Sequence, residues 1–77
     1  MQAKEIRPYY QKHCRFRMRS GKVVYGVIWS DVHQHYFASH REFEAYQSAI
    51  QNRDKATCQR LRFPVDLNEV VAAERLN

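Results

Sequence analysis

Cys14-Arg-Phe-Arg-Met-Arg-Ser-Gly-Lys-Val-Val-Tyr-Gly-Val-Ile-Trp29 is the stretch on which the fold turns. Cys14, Phe16 and Met18 alternate with Arg15, Arg17 and Arg19, the period-2 pattern of a strand with one buried and one wet face. Ser20-Gly21 supplies a turn, because glycine accepts the positive φ that tight hairpins demand. Val23 to Trp29 follows as a second strand, rich in β-branched and aromatic residues. Val23, Tyr25, Val27 and Trp29 share one face of it, while Val24, Gly26 and Ile28 share the other. Both faces are apolar, so this strand lies between layers or bends at Gly26.

Outward from the hairpin, the chain of 77 residues is the length of one small domain. Residues 1–77 are read as that domain, with 1–7 loose or drawn into a short helical turn. An apolar share of 44% suits a globular chain. The formal net charge of +5 is unevenly placed. Through Lys22, seven basic residues face Glu5 alone; beyond it, six basic residues meet seven acidic ones. A basic third of this kind suits a surface that meets phosphate or an acidic protein.

Cys14 and Cys58 are too few for the disulfide framework of a small secreted domain. No apolar run follows Met1 and no stretch reaches membrane-spanning length. A cytoplasmic protein with free thiols and no membrane association is the expectation.

Pro8 suits a first helical position, and a short helix or turn is predicted over residues 6–12. Beyond the second strand, Ser30 to Gln34 reads as a loop and His35-Tyr-Phe-Ala38 as a third strand. Ser39-His-Arg-Glu42 matches a capping box, and Phe43, Tyr46, Ala49 and Ile50 follow at helical spacing. A helix is therefore predicted over 40–52. Arg53 to Thr57 is a polar connection, and Arg60-Leu-Arg-Phe63 repeats the basic-out, apolar-in alternation of a strand that Pro64 ends or confines to an edge. Asp66 to Glu69 either caps a helix running through Val70-Val-Ala-Ala-Glu-Arg or forms a turn before a last strand. The need of short strands for a partner favours the turn and strand. The fold class is thus mainly β (α+β): a small antiparallel barrel or strongly bent sheet, one helix near 40–52 and a short N-terminal helix or turn.

Catalytic chemistry finds little support. His13 and Cys14, as neighbours on a strand, point to opposite faces and cannot act as base and nucleophile. Only Gly21 and Gly26 are present, so no glycine loop cradles phosphate. His33, His35 and His40 lie close in sequence, yet neither Cys-x-x-Cys nor His-x-x-x-His spacing accompanies them. No enzyme, cofactor or metal is expected. Basic residues with aromatic neighbours are the stronger signal. Arg15, Arg17 and Arg19 project at intervals of about 7 Å, comparable with the spacing of phosphates along a nucleic-acid strand. Lys22, Arg60 and Arg62 extend the set, and His35 and Tyr36 offer stacking surfaces. The same alternation is also what the wet face of any small sheet looks like.

Pro8-Tyr-Tyr-Gln-Lys-His-Cys-Arg-Phe-Arg-Met-Arg-Ser-Gly-Lys-Val-Val-Tyr-Gly-Val-Ile-Trp-Ser-Asp31 resembles the first half of an Sm-like domain. Gly21, Gly26 and Asp31 stand where that family has its turn glycine, its bent-strand glycine and its Asp. Leu61-Arg-Phe-Pro-Val-Asp-Leu-Asn-Glu-Val70 is similar to the strand, short turn and strand that finish SH3-like and Sm-like barrels. The outline also looks like the Rho-binding antiterminator family. The resemblance implies a small barrel; Val32-His33 replace the base-holding Asn, so uridine binding and ring assembly do not follow from it. The expected function is a non-catalytic module that contacts RNA or an RNA-associated protein through its basic strand face. Its rival is a protein-interaction or oligomerisation module using a strand edge and the Trp29 neighbourhood.

Overall fold

The computed structural model describes residues 1–76. Five strands carry the fold: β1 (Cys14–Met18), β2 (Val23–Asp31), β3 (Gln34–Ala38), β4 (Phe63–Pro64) and β5 (Val70–Arg75). Three helices accompany them: α1 (Ala3–Ile6), α2 (His40–Gln51) and α3 (Lys55–Leu61). Short 3-10 turns over Arg7–Tyr9 and Leu67–Glu69 complete the described chain. The strands form one antiparallel sheet in the order β4-β3-β2-β1-β5.

β2 organises the sheet. Its first half, Val23 to Gly26, pairs with β1, and its second half, Val27 to Asp31, pairs with β3. Gly26 stands at the changeover, where a Cβ would come within 2.3 Å of the Ala38 carbonyl oxygen. The predicted placement of β2 between layers is observed, since Val27, Ile28 and Trp29 are all buried. Ile28 joins Ile6, Cys14, Phe16 and Val70 on one face, against which Tyr9, Tyr10 and Leu67 pack. Val27 and Trp29 join Ala38, Phe43 and Tyr46 on the other, against which Cys58 and Leu61 pack. α1 and its following turn thus cover one face, and α2 and α3 cover the β2–β3 part of the other.

The capping box at the start of α2 is formed: Glu42 N donates to Ser39 Oγ at 3.2 Å and Ser39 N to Glu42 Oε1 at 3.1 Å. The helix buries Phe43, Tyr46 and Ala49 but leaves Ile50 half exposed. The Asp66 segment takes the turn-then-strand course, with β5 antiparallel to β1. The first residues are not loose. Ile6 is fully buried, and the Met1 amino group donates to the Leu67 carbonyl at 2.7 Å and to that of Val70.

Three expectations need correction. Arg60-Leu-Arg-Phe63 is not a strand: Arg60 and Leu61 belong to α3, whose N-cap Asp54 accepts from Thr57 N at 3.1 Å. Phe63 and Pro64 pair with β3, and Val65 N donates to the His35 carbonyl at 2.9 Å. Second, β4 is therefore too short to reach round to β5, and the two strands form opposite edges of a sheet that is not closed. Third, Ser30 to Gln34 is mostly strand, with Asp31 opposite Gln34 and a tight turn at Val32-His33.

Candidate nucleic-acid interface

The sheet face shared by Val27 and Trp29 is only half covered. α2 and α3 pack over its β2–β3 side, whereas its β2–β1–β5 side is open. The β1–β2 register decides what stands there. Met18 N donates to Lys22 O and Gly21 N to Met18 O, both bonds closing a loop of three residues, Arg19 to Gly21, with Gly21 at φ 92°. That is the hairpin in which a turn is followed by a left-handed glycine. Counting back from it sets Arg17 opposite Val23 and Arg15 opposite Tyr25. On the other flank Arg17 lies opposite Ala72 and Arg15 opposite Glu74.

The result is a strip of wet sheet with an aromatic side chain in it. Tyr25 is 56% exposed beside two arginines. Arg15 Nη1 is paired with Glu74 Oε2 at 2.9 Å, both side chains open to water. Among the described residues, Arg17 makes neither an ion pair nor a side-chain hydrogen bond. Lys22 is exposed but stands opposite Met18, so it leaves the hairpin on the other face from Arg15, Arg17 and Tyr25. A shallow cleft of about 200 Å³ runs between Arg15, Arg17 and Ala72 to Glu74.

The other candidate residues lie elsewhere. Arg19 turns to the scaffold: its Nε and Nη2 donate to the Asn68 carbonyl at 3.1 and 2.8 Å. This bond pins the 3-10 turn before β5. Arg62 reaches Asp31 Oδ2 at 3.3 Å and sets its guanidinium 5.0 Å from the centre of the Tyr36 ring. Asp31 is at the far end of β2 from Tyr25, on the order of 20 Å along the strand. Arg60 is carried by α3. The two arginine groups therefore do not form one surface.

His35 and Tyr36 point to opposite faces. Tyr36 is half buried beside Trp29, with ring centres 5.9 Å apart, and Arg62 covers it. His35 hydrogen-bonds with the Tyr10 hydroxyl on the other face, and its partial burial pushes its pKa below the usual histidine value. Neither ring stands free to stack on a base. Trp29 is also enclosed, packed on Tyr36, Phe43 and Tyr46 and only 4% exposed, so it offers no contact surface. Its Nε1 has no hydrogen-bond acceptor among the described residues.

Comparison with protein-family models, curated proteins and solved structures finds no match to this chain. The site therefore stands on its own geometry. Among the described residues, no three His, Cys, Asp or Glu side chains gather where they could hold a metal ion. His13 and His40 stack on each other at 4.5 Å, and His40 pairs with Glu44 at 2.8 Å. Burial pushes the Cys14 thiol pKa up, opposed by the charges of Arg75 and Lys12. Among the described residues, no helix is long and apolar enough to cross a membrane.

Tyr25 is the residue that sequence reasoning missed. Its face was assigned correctly, but nothing marked it as exposed while Val27 and Trp29 on the same face are buried. The signal lay in the loop length: three residues rather than two put Tyr25 directly across from Arg15.

Proposed function

We propose that the protein is a non-catalytic module that binds single-stranded nucleic acid, RNA foremost, on the open half of its sheet. Arg15 and Arg17 contact phosphates, and Tyr25 stacks on a base. The observation that carries this is the exposed Tyr25 ring lying across the strand pair from Arg15, with Arg17 beside it. An open sheet face with one exposed aromatic ring takes an unstacked base, whose π-face needs no particular sequence. Such stacking contributes about 1–3 kcal/mol per base, while the cations add affinity by releasing counterions. Cytoplasmic residence is part of the proposal.

The test is a titration with labelled oligouridine and its DNA counterpart over a range of salt concentrations. Two phosphate contacts at about 0.7 counterions each give a double-logarithmic slope near −1.4. Saturable binding that Tyr25→Ala and Arg17→Gln each weaken supports the module. Absence of binding at low salt, or affinity indifferent to both substitutions, rejects it.

A further inference from the structure

The sheet has two unequal edges. β4 is two residues long and ends in Pro64, which has no N–H to offer, so it gives little to a new strand. β5 is six residues long, contains no proline, and has β1 as its sole neighbour among the described strands. Leu76 N donates to His13 O at 2.9 Å, so at Leu76 the backbone turns toward β1. Antiparallel strands alternate in this respect, and Arg75 and Ala73 therefore direct their N–H and C=O groups away from β1. The register slips between Arg17 and Met18, making Val71 the extra residue of a bulge at the beginning of the strand.

We propose that β5 pairs antiparallel with β5 of a second copy, centred on Ala73, about a two-fold axis perpendicular to the sheet. The occupant and the register follow from side chains and charge. About such an axis each face meets its own kind, so Ala73 stands opposite itself, Ala72 opposite Glu74, and Val71 opposite Arg75. This register engages the outward groups of Ala73 and sets Arg75 against the bulge at Val71. Sliding the strands until Glu74 faces Glu74 sets like charges directly opposite, which is destabilising. Sliding the other way leaves Arg75 without a partner. Glu74 is already held by Arg15 at 2.9 Å, so the incoming strand meets a neutralised pair beside small alanines. The contact is isologous and closes at two copies.

Pairing also changes what the open face presents. The two copies keep the same face upward, so Arg15 of one and Arg17 of the other are three strand spacings apart, about 14 Å. The dimer stands whether or not the strip binds nucleic acid, and its test contains none.

The experiment is sedimentation equilibrium of the full chain from about 10 μM to about 1 mM, a range that brackets weak to moderate self-association. The expected result is a mass rising with concentration toward twice that of the monomer. Ala73→Pro removes the central outward N–H and should weaken the dimer at least about tenfold. Val71→Lys places a charge on the same edge and should act in the same direction, and it substitutes for Ala73→Pro if circular dichroism shows that variant unfolded. In mixed labelled and unlabelled dimers, a filtered NOE should connect the Hα of Ala72 to the Hα of Glu74 in the other copy. A monomer throughout the range overturns the proposal, even if β5 then accepts an unrelated extended peptide. A dimer that survives the folded edge variants, or NOEs that place its contact elsewhere, overturns it equally.

Discussion

Gly26 and Ala38 approach so closely that a Cβ on Gly26 would lie 2.3 Å from the Ala38 carbonyl oxygen, with the Phe37 ring at 2.6 Å. The obstruction is backbone as well as side chain, so it cannot be relieved by a rotamer change. At this point β2 hands its pairing from β1 to β3. Gly26→Ala is expected to cost about 3 kcal/mol, the upper part of the range for overpacking. A urea unfolding midpoint unchanged by this substitution would show that the strands can separate here without penalty.

Val32 occupies the first position of the β2–β3 turn at φ 43°, with His33 following at φ 67°. Two positive φ values in a two-residue hairpin suit Asn-Gly, and a β-branched side chain is strained there. Val32 is 83% exposed, so little packing compensates. Val32→Asn should therefore stabilise the protein by about 1 kcal/mol, read as a higher melting temperature. A lower melting temperature would mean that the valine makes contacts that matter.

His35 gives the fold a pH dependence of known sign. Burial lowers its pKa from 6.5, so the unfolded chain takes up its proton first as the solution is acidified. The stability that comes from holding this ring neutral against Tyr10 is complete above pH 6.5 and is lost as pH falls through the lowered value. His35→Gln should flatten the stability profile below pH 6.5 relative to the parent. Identical profiles for the two proteins would remove His35 as the cause.

Arg19 and Arg62 separate scaffold from surface. Arg19→Gln loses two hydrogen bonds to the Asn68 carbonyl and should cost about 1 kcal/mol of stability. Arg62→Gln gives up the contact with Asp31 and the Tyr36 ring yet should leave oligouridine affinity within about twofold, since no phosphate contact is lost. If Arg62→Gln weakened binding as much as Arg17→Gln, the interface would extend across the helical half of the sheet.

The hairpin, the capped helix α2 and the closing turn and strand were legible because each rests on local rules: alternation, a capping box, an Asp-led turn. α3 was not, although Asp54 three residues before Thr57 is a helix N-cap pair. Four residues of alternation at Arg60 to Phe63 fit a strand, but Cys58 and Leu61, one helical turn apart, are what the Trp29 cluster needed to bury. Tertiary demand decided that segment. The extent of the basic surface was illegible for a related reason. Alternation tells which side an arginine leaves the strand, and not that Arg19 will be taken by a neighbouring carbonyl or that Tyr36 will be covered by Arg62. Those outcomes depend on loop length and on partners distant in sequence.

The central claim is that Tyr25 and its flanking arginines hold single-stranded nucleic acid, and one titration tests it most directly. Oligouridine is titrated into the parent protein, Tyr25→Ala and Arg17→Gln across a salt series, with each variant's fold checked by circular dichroism. The parent should show a double-logarithmic slope near −1.4. Arg17→Gln should reduce that slope by about 0.7. Tyr25→Ala should keep the slope and lose at least about fivefold in affinity, the low end of a stacking contribution. A folded parent that binds no oligouridine at low salt, or variants that bind as it does, would contradict it.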